Sequence, residues 1–163
     1  MGDQNRGVRE QGPALSGGGP LAWRRLCSVD PAPLMSVLKD FDWPPGGGTF
    51  GEFAVIDELT EAESVFDACF KHLPEHKRAM TWMSLVRPGK SIPVHTDNAR
   101  ECDPRVHVPI ETNNEAVFVV DGEEVQMEVG SAYLINPRLP HAVYNRGLIN
   151  RTHLFFVAVR DAD

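Results

Sequence analysis

The hydrophobic rhythm of the chain changes near Lys77. Before it, two stretches carry apolar residues at helical spacing: Leu34, Val37, Leu38 and Phe41 within "DPAPLMSVLKDF", and Val65, Phe66, Cys69 and Phe70 between about Thr60 and His72. Residues three and four apart share one side of a helix, so each stretch predicts a short amphipathic helix. Asp30 is placed to cap the first, which has prolines in its first turn, and Thr60 with Glu63 has the spacing of a capping box for the second. His72 and His76 read as exposed residues at the far end of the second helix. Between the helices, "WPPGGGTFG" opposes both regular structures and reads as loop.

After Lys77 the rhythm becomes that of strands. "AMTWMSLVRPG", "RVHVPIET", "AVFVVDG", "EVQMEVG", "AYLIN", "HAVYN" and "HLFFVAV" are seven short β-prone runs, separated by PG, NN, DG, GS and NPRLP turn signals. The approach to His95 makes about eight strands, which predicts an antiparallel sandwich or barrel with the helices packed outside one sheet. Upstream, residues 1–20 are rich in Gly, Pro and polar residues and poor in aliphatics, and predict a flexible tail ahead of a single domain over 21–163.

Length and charge narrow the chemistry. A chain of 163 residues can bury a core without a structural metal, so any metal held here serves function. The net charge of -7 argues against general affinity for nucleic acid or anionic membrane, and an anionic substrate would need local arginines. Cys27, Cys69 and Cys102 are odd in number, widely spaced and without a CxxC, which suits a reducing cytoplasm. No stretch approaches the roughly 20 apolar residues of a membrane span.

The chemistry concentrates in "SIPVHTDNARECDPRVHVPIET". His95 and Asp97 are two apart, so in extended backbone both point to one side. His141, following "NPRLP", is the best third ligand, and two imidazoles with one carboxylate form the facial triad of non-haem Fe(II) oxygenases. Arg151 lies ten residues beyond His141, and a hairpin between their strands would bring its guanidinium near the metal, as a dicarboxylate requires. Each residue alone has a plainer reading. His95 and His141 are polar residues at strand ends, Asp97 a turn former, Arg151 a surface charge and Ser84 an ordinary strand serine. Their joint spacing outweighs these.

Those segments, with "MSLVRPGKSIPVHTD", "RVHVPI", "VGSAYLINPRLPHAVYN" and "NRTHLFF", resemble the aspartyl/asparaginyl β-hydroxylase family of 2-oxoglutarate and Fe(II)-dependent dioxygenases, which includes small bacterial proline hydroxylases. The resemblance covers about residues 80–160. It implies a mainly-β, double-stranded β-helix of jelly-roll or cupin-like type with flanking N-terminal helices. It also implies that His95, Asp97 and His141 bind Fe(II), and that Ser84 and Arg151 bind the distal carboxylate of 2-oxoglutarate. His107 would lie near the C1 carboxylate, and Arg105 near that carboxylate or an acidic group of the substrate. Mammalian members lack the carboxylate ligand; Asp97 supplies it here, as in the small proline hydroxylases.

The expected activity is hydroxylation of an unactivated carbon of an amino acid or a peptidyl residue of the Asp, Asn or Pro type. O2 is consumed, succinate and CO2 are released, and ascorbate serves as supporting reductant. The protein would act in the cytoplasm as a monomer or homodimer, with no nucleic-acid or membrane partner. The competing readings are a cupin-type metal enzyme that does not use 2-oxoglutarate, which would normally show an HxH pair and a following Glu, and a catalytically silent binding or sensor module on the same fold. His153 is read as a core histidine. Trp23, Trp43 and Trp82 are read as core or substrate-wall residues, and Arg100 and Arg138 as further cations for an acidic group.

Overall fold

The first element of the computed structural model is one that the hydrophobic pattern does not announce: a strand, β1, over Trp23–Ser28. The structure describes residues 21–44, 52–56, 58–97 and 103–160. The predicted tail, most of the Trp43–Gly51 loop, Arg100 and Cys102 lie outside these. The other strands are β2 (Glu52–Val55), β3 (His76–Val86), β4 (Ser91–His95), β5 (Arg105–Glu111), β6 (Ala116–Val120), β7 (Glu123–Val125), β8 (Ser131–Ile135), β9 (His141–Asn145) and β10 (Arg151–Arg160). The helices are α1 (Ala32–Lys39) and α2 (Glu63–Phe70). All strand pairs are antiparallel, in a six-stranded sheet of order β1-β8-β5-β10-β3-β2 and a four-stranded sheet of order β4-β9-β6-β7.

The large sheet is covered on both faces, so its central strands β5 and β10 are buried at nearly every position. Along β5 and β10 alternate residues divide between two compartments, as a side-chain period of two requires. Val106, Val108, Ile110, Leu154, Phe156 and Ala158 join the outer core, to which α1 adds Leu34 and α2 adds Val65, Phe66 and Cys69. The fit is specific: the rings of Phe66 and Phe156 meet edge to face, with centroids 5.3 Å apart. Arg105, His107, Arg151 and Phe155 alternate with that set and line a cavity on the other face. A second core closes the space between the sheets, with Val86, Tyr133 and Ile135 of the large sheet in one cluster with Ile92, Phe118 and Val143 of the small one. This is the expected jelly roll, with the helices on one side.

Two strands were not expected, and two local expectations are corrected. Strands β1 and β2 went unread because adjacent arginines and a register shift between Arg25 and Cys27 break the alternation of β1, while β2 is only four residues long. The Thr60/Glu63 capping box is not formed. Thr60–Ala62 is a turn of 3-10 helix and α2 begins at Glu63, so the two side chains lack the geometry of an N-cap and its third residue. Asp30 does act at α1, its carboxylate accepting from the Ala32 N–H at 3.0 Å, although Pro31 is the residue that precedes the helix. His76 is not a helix end but the first residue of β3.

The passage from the small sheet to the large one is held by a buried amide. The Asn145 side chain donates to the carbonyls of Val86 and Ile149, both at 2.8 Å, and its Oδ1 accepts from Asn113 Nδ2 at 3.1 Å and from the Gly147 N–H at 3.2 Å. All hydrogen-bonding positions of the amide are used, so this turn has one arrangement rather than several. It delivers the chain from β9 to the first residue of β10, which is Arg151.

Candidate active site

The seven residues singled out from sequence, Ser84, His95, Asp97, Arg105, His107, His141 and Arg151, all line one cavity of about 240 Å³ between the two sheets. His95 and His141 are direct cross-strand partners at the edge of the small sheet. Asp97 follows β4, its N–H bonded to the carbonyl of Pro137 at 3.0 Å, which ties it to the segment that leads into His141. Asp97 Oδ1 lies 3.7 Å from His95 Nε2 and 3.6 Å from His141 Nε2, and the three donor atoms are all within 4.8 Å of one another. The two Asp–His separations are below twice the ~2.1 Å typical of metal–nitrogen and metal–oxygen bonds, so a single ion can touch both atoms of each pair.

The donor chemistry also fits a cation. His95 Nδ1 lies 2.8 Å from the carbonyl of Pro93, and His141 Nδ1 2.9 Å from that of Leu139, in each case the residue two positions earlier. A carbonyl only accepts, so each Nδ1 carries the proton and each Nε2 presents a lone pair toward Asp97. Burial pushes the His141 pKa down, against a smaller upward effect of its bond to Leu139, favouring the neutral form that a metal needs. Arg105 fixes the remaining carboxylate oxygen: its Nε and Nη2 lie 3.1 and 3.0 Å from Asp97 Oδ2. Arg105 thereby orients Asp97 from the wall of the same cavity.

Behind this cluster the cavity floor is cationic. Arg151 is 3% exposed, and among the described residues it forms no ion pair with a carboxylate; its hydrogen-bond partner is His153 Nδ1, 2.9 Å from Nη2. Burial lowers its pKa from the ordinary arginine value to about 9. Arg151 reaches the cavity by a route other than the expected hairpin, because β9 belongs to the small sheet and β10 to the large one. The β9–β10 turn crosses between sheets, and Arg151 faces the histidines across the gap. Ser84, buried on β3, lies opposite His153 in register, one diagonal step from Arg151.

His107 is buried, with no hydrogen-bond partner for Nδ1 among the described residues, and its pKa is well below the usual histidine value through burial and the nearby Arg151 charge. It belongs to a cross-strand ladder in which Trp82 stacks on Phe155 at 5.0 Å and 15°, and Phe155 on His107 at 5.1 Å and 10°. Phe53 meets Phe155 edge-on, and together these rings give the cavity a flat aromatic wall. Phe53 and Phe155 went unnamed from sequence, and Phe155 was legible: Arg151, His153 and Phe155 alternate in "RTHLF". Phe53 had no signal, lying on the unread β2. Arg138 is exposed and lines a separate cavity with Trp23 and Arg24.

The family model for aspartyl/asparaginyl β-hydroxylases matches residues 58–161. The chain belongs to this family. Membership makes the protein an iron- and 2-oxoglutarate-dependent hydroxylase, and its mainly-β sandwich is the fold of such enzymes. Among solved structures this β-hydroxylase family member is similar to a prolyl-4-hydroxylase from Pseudomonas putida, with 14% identity and a TM-score of 0.64 over 86% of this chain and 94% of that one. It is also similar to the 2-oxoglutarate complex of a viral collagen prolyl hydroxylase from Paramecium Bursaria Chlorella virus-1, with 10% identity and a TM-score of 0.65 over 84% and 95%. A third relative is a 2-oxoglutarate–Fe(II) oxygenase family oxidoreductase from Burkholderia pseudomallei, with 13% identity and a TM-score of 0.63 over 80% and 78%. At these identities the likeness is one of fold. No curated protein sequence matches the chain. Among the described residues no helix is long and apolar enough to cross a membrane.

Proposed function

We propose that the enzyme hydroxylates an unactivated carbon of an amino acid or a peptidyl residue of the Asp, Asn or Pro type, with His95, Asp97 and His141 holding Fe(II). Arg151, with Ser84, holds the distal carboxylate of 2-oxoglutarate, and His107 lies beside its C1 end. The observation that carries this reading is Arg151 itself: a buried guanidinium with no carboxylate partner among the described residues, in the same cavity as two histidines and an aspartate. A buried charge is costly unless paired, and a bound dicarboxylate supplies the pair. A cupin-type enzyme without this co-substrate would have no use for such a cation.

When bound, Fe(II) and 2-oxoglutarate supply oxygen activation, with oxidative decarboxylation to succinate and CO2. The chain's residues supply position. The backbone carbonyls of Pro93 and Leu139 orient the two imidazoles, and Arg105 restrains Asp97 so that Oδ1 faces them. Arg151 and Ser84 would hold the far carboxylate of the co-substrate at the cavity floor, across from the three ligands. Trp82 and Phe155 offer a flat apolar surface to the substrate. The free, buried Cys27 and Cys69 suit a reducing, cytoplasmic setting, and a monomer or homodimer is the expected state.

The test combines purified protein, Fe(II), ascorbate, O2 and labelled 2-oxoglutarate with a panel of amino acids and peptides. A true substrate gains one oxygen atom by mass spectrometry and raises CO2 release, and Asp97→Ala abolishes both. The proposal fails if 2-oxoglutarate does not bind, or if Asp97→Ala leaves turnover unchanged.

A further inference from the structure

His153 is among the most buried polar residues of the molecule, at 1% exposure. It stands two positions after Arg151 on β10, so both side chains leave the same face of the strand, and it faces Ser84 across the β3–β10 register. Its Nδ1 is 2.9 Å from Arg151 Nη2. A guanidinium has five N–H donors and no acceptor, so Nδ1 must be the accepting atom and the ring proton must sit on Nε2. Nε2 is itself buried without a hydrogen-bond partner among the described residues, and the ring centroid lies 5.9 Å from that of His107. A residue that served only to fill the core would be apolar here. Leucine or phenylalanine would avoid both the buried donor and the contact with a cation.

We propose that His153 is a positioning residue for the co-substrate site, its imidazole accepting a hydrogen bond from Arg151 and so fixing the direction in which the guanidinium presents its remaining donors. The proposal rests on the assignment of Arg151 to the distal carboxylate given above. Arginine reaches through several rotatable bonds, and among the described residues no other hydrogen bond holds the Arg151 head. Anchoring one nitrogen converts a mobile cation into a fork with one orientation, lowering the ordering cost of ligand binding. Burial and the adjacent Arg151 charge hold the His153 pKa well below its usual value, which keeps the acceptor lone pair available.

The test uses the full chain loaded with Mn(II), with 2-oxoglutarate binding followed by calorimetry and KM and kcat followed on the Fe(II) enzyme. His153→Leu removes the acceptor, His153→Asn keeps an oxygen on the same Cγ branch as Nδ1, and Arg151→Met is the reference. Losing a hydrogen bond to a charged group predicts about a tenfold rise in Kd and KM for 2-oxoglutarate in His153→Leu, with Mn(II) affinity and kcat within about twofold of the parent. His153→Asn should return Kd to within about threefold of the parent, which a loss of packing alone would not do. Parent-like binding by His153→Leu overturns the proposal, as does equal weakening in the leucine and asparagine variants. If Arg151→Met also binds as the parent does, the assignment of Arg151 falls and this inference falls with it.

Discussion

Replacing Arg151 by methionine separates what this side chain costs the fold from what it gives to ligand binding. Burial lowers its pKa to about 9, so the folded state disfavours the charged form. For a base with a depressed folded value, the penalty is absent where both states are neutral, grows as the pH falls and is complete below about 9, hence at neutrality. Burying an ion without its partner costs a fold several kcal/mol, with about 5 kcal/mol as the ceiling. Methionine also forfeits the bond to His153, worth about 1 kcal/mol. A net gain of roughly 2–4 kcal/mol raises the Tm of a domain this size by about 5–10 °C. On the ligand side, removing one partner of a buried charge pair costs about 3–5 kcal/mol, or a 10²–10³-fold loss of 2-oxoglutarate affinity. Thermal melts of the metal-free protein and calorimetry of the Mn(II)-loaded protein measure the two effects separately. A methionine variant that is less stable than the parent, or that binds 2-oxoglutarate as tightly, refutes the picture of an uncompensated buried cation awaiting an anion.

Three further outcomes follow from the site and its supports. Arg105→Leu releases Asp97 Oδ2, and Fe(II) or Mn(II) affinity should fall about 10–100-fold, the usual effect of losing a group that orients a metal ligand, while 2-oxoglutarate affinity at saturating metal changes little; metal titrations decide it. His107 and His153 have folded pKa values well below 6.5, so their contribution to stability is complete above about pH 6.5 and is lost as the pH falls below it, toward those lower values. The urea midpoint of the metal-free protein should therefore drop between about pH 7.5 and 5 and stay level in that window if both side chains instead charge freely in the fold. Gly147→Ala puts a methyl group against the Asn113 amide, which must swing away and release its bonds to Asn145 Oδ1 and the Ile149 carbonyl. A loss of roughly 1–3 kcal/mol is expected in chemical denaturation, and an unchanged midpoint would show that the β9–β10 turn has slack.

The local elements were legible wherever one interaction dominates. Hydrophobic period and turn chemistry located eight strands after Lys77, and the "DG" between β6 and β7 does form the tight turn expected of it, with Asp121 and Gly122 both at positive φ. Helix faces were right at Val65, Phe66 and Cys69, because burial of one stripe is a local regularity. The Thr60/Glu63 pair failed for the opposite reason: a capping box depends on where the first turn begins, and the packing of Ala62 and Leu59 into the core, rather than the motif, decides that. Strands β1 and β2 were invisible because their stability comes from partners, β8 and β3, distant in the chain.

At the site, residue types and spacings nominated His95, Asp97, His141 and Arg151, since alternation in a strand determines which side chains share a face, and the family resemblance added Ser84, Arg105 and His107. Tertiary structure decided what each one meets. Arg105 turns to Asp97 because β5 and the end of β4 converge at the cavity mouth, and Arg151 approaches from the opposite sheet because the Asn145 turn carries the chain across rather than back. Alternation is a property of one strand and is written in its residues. Which faces look at each other is a property of two sheets, set by long-range pairing and packing that no local stretch contains.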